Sequence, residues 1–166
     1  LWAGPWMLNI TGYTPLQSAT GLFWINITML ISYFIWGYVL PKISEYGISS
    51  IKIIKLGLPI SYFSLFLIIY LGNNAGAFLF TLYIMTSIVI SLTQPAIALN
   101  FSKNLAGKSL TSYNVFLFSG TFFVQWGIGL IIDLCNNKGF DILSSYRISF
   151  SLFLILCVLS LSLIHI

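Results

Sequence analysis

An all-α integral membrane bundle is the fold class that this sequence predicts, and three observations predict it. The chain carries only 7 Lys and Arg and 3 Asp and Glu among 166 residues. Soluble domains spend about a quarter of their residues on these four types, so no water-facing surface could be assembled here. Residues of hydrophobic type make up 58% of the chain. They fall into runs near the roughly 20-residue length that crosses a bilayer, and no Asp, Glu, Lys or Arg stands in the middle of a run.

Taken in order, residues 1–9 are apolar but too short to span, and read as the tail of a helix whose start precedes Leu1. Residues 10–17, with Gly12, Pro15 and several polar side chains, read as a loop. The first full span is 18–40. A loop is expected over 41–52, where Pro41, Lys42, Glu45, Gly47 and Lys52 gather. The second span is 53–71, with a kink at Pro59. Residues 72–76, Gly-Asn-Asn-Ala-Gly, form a turn into the third span, 77–100, whose second half should bend at Gln94-Pro95 and free a carbonyl. A loop at 101–109 carries Lys103 and Lys108. The fourth span is 110–133, a polar loop follows at 134–147, and the fifth span is 148–166. Five whole spans plus one truncated one form a single transmembrane domain over 1–166.

Charge then assigns the sides. Lys42, Lys52, Lys55, Lys103 and Lys108 belong to one side; Lys138 and Arg147 belong to the other, offset by Asp133 and Asp141. The excess of basic residues marks the cytoplasmic face. It places the C-terminus in the cytoplasm and explains the +4 net charge without any nucleic-acid partner.

Polar load differs between spans. Span 18–40 contains Trp24, Asn26, Trp36 and Gly37, span 77–100 contains Gln94 and Asn100, and span 110–133 contains Asn114, Gln125 and Trp126. The truncated span holds Trp2, Trp6 and Asn9. Spans 53–71 and 148–166 are plain and read as lipid-facing. Two loaded helices for each plain one is the order expected of a bundle with inner and outer members.

That order resembles the C-terminal six-helix half of a major facilitator superfamily transporter. Gly37, Lys42 and Gly47, in Gly37-Tyr-Val-Leu-Pro-Lys42-Ile-Ser-Glu-Tyr-Gly47-Ile, match the family's cytoplasmic loop motif, G-x-L-x-D-R-x-x-x-x-G, although Pro41 stands where the family usually has Asp. The stretches Leu-Trp-Ala-Gly-Pro-Trp, Leu-Ala-Gly-Lys-Ser-Leu-Thr-Ser-Tyr-Asn and Gln-Trp-Gly-Ile-Gly-Leu-Ile-Ile-Asp are similar to segments of bacterial members. The resemblance implies secondary transport of a small solute by alternating access. It also implies a partner six-helix half, here missing on the N-terminal side, and residence in a bacterial inner (plasma) membrane. Proton coupling is open, with Asp133 the only carboxylate near a span centre or end to consider.

The residues expected at a substrate cavity are Trp2, Trp6, Trp24, Asn26, Gln94, Asn114 and Gln125. Amides in a cavity offer both donors and acceptors. The same amides can instead bond across to a neighbouring helix, and Trp2 and Trp6 can instead anchor at the interface. Gly120, Gly127 and Gly129 are expected to mark close helix packing; Gly120 and Gly127, seven apart, share a helix face. Cys135 and Cys157 predict neither a disulfide nor a metal site, and no cofactor is implied. Intramembrane enzymes need a nucleophile–base pair or metal ligands. The single His165 at the end of the chain supplies neither. A non-transporting membrane scaffold stays open as the alternative.

Overall fold

The computed structural model describes residues 2–164, with the Lys103 and Ile164 side chains left aside; His165 lies outside the described residues. Among them the chain is helical throughout: α1 (Ala3–Asn9), α2 (Pro15–Glu45), α3 (Ser50–Leu71), α4 (Ala77–Ser87), α5 (Thr93–Asn100), α6 (Lys103–Asn137) and α7 (Ile142–Ile164). Five stretches are long and apolar enough to cross a membrane: α2, α3 with the turn that follows it, the α4–α5 unit, α6 and α7.

Local chemistry sets the ends. Thr14 opens α2 with a reciprocal pair: its hydroxyl accepts the Gln17 N–H at 3.3 Å, and the Gln17 side chain accepts the Thr14 N–H at 2.9 Å. Pro15 follows at the first helical position, where its missing N–H is harmless. α3 is capped by Ser49, which accepts from the Lys52 N–H. It stops at Gly72, whose φ of +56° a side chain rarely adopts.

Several helices run further than the sequence predicts. α2 continues through Pro41 to Glu45, so the expected 41–52 loop shrinks to the turn before Ser50. Proline deletes only the N–H that would reach the Gly37 carbonyl, and the chain turns later, at Gly47 with φ +75°. Gly37 therefore lies within the helix and Lys42 in its last turn, where Nζ meets the Tyr38 hydroxyl at 2.6 Å. Only Gly47 of that trio is in a loop. Likewise α6 begins at Lys103 rather than near Leu110, and Arg147 sits inside α7 rather than in a loop. The third span does break. A 3-10 stretch, Ile88–Leu92, separates α4 from α5, one turn before Pro95 removes the N–H that would reach the Ser91 carbonyl.

The main correction concerns α3. Its plain sequence reads as lipid-facing, yet α4, α5 and α7 all pack on it, and it buries Ile54, Leu58, Ser61, Ser64, Leu65, Ile68 and Ile69. Hydrocarbon outside a bundle is as apolar as the interior, so a plain helix gains nothing by staying at the rim. Small residues decide instead. A Cβ added at Gly57 would stand 2.9 Å from Val89, and one added at Gly21 would stand 2.9 Å from both Met7 and Ala77. These two glycines hold close helix approaches of the kind the sequence predicts at Gly120 and Gly127. At those two positions an added Cβ meets nothing within 4 Å. Gly129 does approach a neighbour, the Trp2 ring, at 3.2 Å.

Two buried clusters result. The larger joins Trp6, Met7, Ile25, Leu65, Ile68, Phe80, Ile128, Ile132, Tyr146 and Phe150 from six helices. The smaller joins Ile54, Leu58, Val89 and Leu92, flanked by Trp36 and Leu40. α7 meets α6 along Ser145 and Ser149, both fully buried; Ser149 Oγ donates to the Ile128 carbonyl at 3.1 Å.

Candidate functional site: an aromatic cleft along α6

α6 is fastened near its ends. Toward its start the Tyr113 hydroxyl lies 2.6 Å from Thr93 Oγ1 on α5. That threonine already donates to the Ile90 carbonyl, so Tyr113 is the donor of the pair. Toward its end Ile128 and Ile132 are buried. Between these fastenings residues 115–126 are all exposed. The helix stands off from α1, α2 and α4, and the gap is a cleft of about 480 Å³.

One stripe of α6 forms the outer wall: Phe116, Leu117, Gly120, Thr121, Val124, Gln125 and Ile128, at the spacing of a single helix face. Opposite stand Leu22 and Ile25 of α2, Phe80, Tyr83 and Ile84 of α4, and Phe150 and Phe153 of α7, with Leu65 of α3 also in the wall. Trp2 and Ala3 complete it. The Trp2 indole N–H donates to the Gln125 carbonyl at 3.2 Å, tying the start of the chain to α6. Among the described residues no Asp, Glu, Lys, Arg or His lines the space. It offers an apolar, aromatic interior with Thr121, Tyr83 and Gln125 as its polar side chains, which is the usual make-up of a small-molecule site.

The predicted site residues divide. Trp2 and Gln125 are in the wall, and so is Gly120, whose missing side chain leaves room rather than contact. Trp6 is fully buried beneath it, with ring centroids 4.9 Å from Phe150, 5.8 Å from Tyr146 and 6.0 Å from Phe80. It belongs to the core, and its indole N–H has no partner among the described residues. Trp24 is exposed beside Phe23. Asn26 turns back onto the Leu22 carbonyl at 2.7 Å. Gln94 is exposed and Asn114 half-buried, and neither reaches the cleft. Sequence reasoning missed Phe80, Tyr83, Phe116, Phe150 and Phe153. The repeat of small and polar residues at 120, 121 and 125 was the available signal for the α6 stripe. The α7 pair gave none, because a phenylalanine in an apolar run looks the same toward lipid as toward a cavity.

The fold and the cleft together define a multi-pass helical membrane protein. No protein-family model, curated protein or solved structure matches the chain.

Proposed function

We propose that this chain is the C-terminal six-helix half of a secondary transporter of the major facilitator kind, and that it moves a small solute by alternating access against a second half. One observation carries the reading: a long helix, exposed along residues 115–126, walls an aromatic cleft to which all the membrane-crossing units contribute. The charge asymmetry supports it. Lys42 ends α2, Lys52 and Lys55 begin α3, and the ends of α2, α3 and α5 share one groove through Ser44, Gly47, Ser50, Leu99 and Asn100. This basic end faces the cytoplasm, as the positive-inside rule requires, and the C-terminus is cytoplasmic. Asp133, exposed near the far end of α6, leaves coupling, if protonic, to a carboxylate of the other half.

The test needs no knowledge of the solute. In the complete protein, with Cys135 and Cys157 changed to Ser, Leu117→Cys or Val124→Cys is probed with a membrane-impermeant maleimide from each side separately. Alternating access predicts reaction from both sides. Reaction from one side alone, or from neither, sinks the transport reading and favours a static scaffold.

A further inference from the structure

The cleft's chemistry narrows what it holds. We infer that it is a binding site for an uncharged, mainly apolar molecule with an aromatic body and a single hydrogen-bond acceptor, lined by every membrane-crossing unit of this chain. The inference rests on the transport reading only in calling that ligand a substrate.

Three features argue for it. Six aromatic side chains, Trp2, Phe80, Tyr83, Phe116, Phe150 and Phe153, surround a space of about 480 Å³, which lies within the range of drug-sized ligand sites. Offset or edge-on contact between rings is favourable beyond the area it buries. Secondly, no charged side chain among the described residues lines the space. A carboxylate or ammonium entering it would lose water and find no counter-charge. Thirdly, little free polarity remains in the wall. The Trp2 N–H is committed to the Gln125 backbone carbonyl, the Thr121 hydroxyl to the Leu117 carbonyl at 2.8 Å, and Gln125 is itself engaged. Tyr83, also in the wall, adds a hydroxyl that takes part in neither of these bonds. A ligand acceptor gives that O–H a partner.

All the membrane-crossing units of this chain contribute to the wall. The open side chain position at Gly120 is a place to block it, because a larger residue there has room to enter the cleft without displacing a helix.

Benzophenone, uncharged and carrying one carbonyl acceptor, is the probe. The full chain in lipid nanodiscs is irradiated with rising benzophenone, and labelled peptides are mapped by mass spectrometry. Labelling of the Phe80–Ile84 and Phe116–Gln125 stretches should saturate, while labelling of exposed faces such as Phe63 and Phe66 stays linear. Gly120→Trp should abolish the saturable part. Tyr83→Phe should raise the half-saturating concentration roughly two- to tenfold, the worth of one net hydrogen bond. Unlabelled 4-carboxybenzophenone should compete at least about tenfold less well than benzophenone. Linear labelling everywhere, saturable labelling unchanged by both variants, or equal competition by the carboxylate would each overturn the inference. The outcome is separable from that of the thiol test. Saturable binding without two-sided access leaves the site standing and removes transport; two-sided access with linear labelling does the reverse.

Discussion

The two ends of the bundle are held by different means. At the end opposite the lysine-rich groove, hydrogen bonds run between elements. Thr11 Oγ1 donates to the Ala75 carbonyl, the Ala77 N–H to the Tyr13 hydroxyl, and the Asn9 amide to the Tyr146 hydroxyl. Arg147 of α7 reaches the end of α3, with Nε to the Ile69 carbonyl and Nη2 to the Tyr70 carbonyl, both at 2.9 Å. These are carbonyls that a helix C-terminus leaves unpaired, and a cation suits that end of the helix dipole. Around the lysines the bonds stay within one helix or its cap: Lys42 to Tyr38, Ser44 to Leu40, Asn100 to Ala96, Thr111 to Gly107. The Thr93–Tyr113 contact, between α5 and α6, is the exception there. The larger apolar cluster also reaches the interlocked end through Ile10 and Ala75, whereas Ile54, Leu58, Val89 and Leu92 serve the other. One end is crossed by hydrogen bonds between elements, whereas the other is held mainly by apolar packing.

The comparison breaks most sharply at Gly72. A Cβ there would lie 2.7 Å from Arg147 Nη2, on a backbone already at φ +56°. Gly72→Ala therefore combines backbone strain with displacement of the guanidinium, and should cost about 3 kcal/mol. Arg147→Ala keeps the backbone and loses the two carbonyl bonds, for about 2 kcal/mol. Both are read by SDS-titration unfolding in mixed micelles. Losses below about 0.5 kcal/mol for both variants, the level of an ordinary surface change, would show that the interlocked end is not where stability is concentrated.

A pair of glycines sharpens the contrast at the next level. Gly57→Ala pushes a methyl group against Val89 and should cost about 1–3 kcal/mol. Gly127→Ala meets nothing within 4 Å and should be neutral or stabilising by up to about 1 kcal/mol, the difference in helix propensity. The same unfolding assay reads both. A reversed order would mean that the α6 glycines, and not Gly57, hold a helix contact.

These glycines also show what was legible in the sequence. Long apolar runs and polar turns locate the membrane-crossing helices within a few residues, because hydrocarbon demands length and self-satisfied backbone. The break near Gln94-Pro95 was legible too, since a missing N–H acts locally. Burial was not. Gly120 and Gly57 sit in equally apolar surroundings in the sequence, yet one faces a cleft and the other a helix. Outside a membrane bundle the solvent is as apolar as the core, so no periodicity separates inward from outward positions. The same reason hid the buried face of α3, and it let Trp6 and Trp24 read alike although one is fully buried and the other 58% exposed. Trp2 and Gln125 line the cleft while Trp24, Gln94 and Asn114 do not, so the cost of an amide or indole in lipid marks a residue in need of a partner without giving its direction.

The smallest effect lies in the turn between α6 and α7. Asp141 caps α7, its Oδ2 accepting the Ser144 N–H at 3.0 Å. Hydrogen bonds from Ser144, side chain and then backbone, hold its carboxyl below the usual carboxylate range. A depressed folded value means that the ionised form favours the folded state. The contribution is therefore complete above the ordinary carboxylate pKa of about 4 and is lost as pH falls through the lower folded value. Asn is an equally good cap residue, so Asp141→Asn removes the charge and keeps the cap. Unfolding followed from about pH 7 down to about pH 3 should give a shallower acid slope for Asp141→Asn than for the parent. The gap between the two slopes should narrow in high salt, because the carboxylate is fully exposed and its field is screened. Slopes that coincide at low salt would mean that the start of α7 has already opened before the global transition. The α6–α7 turn would then fall outside the interlocked end, and the firmly held region would contract to the α1–α3–α4 side of the bundle.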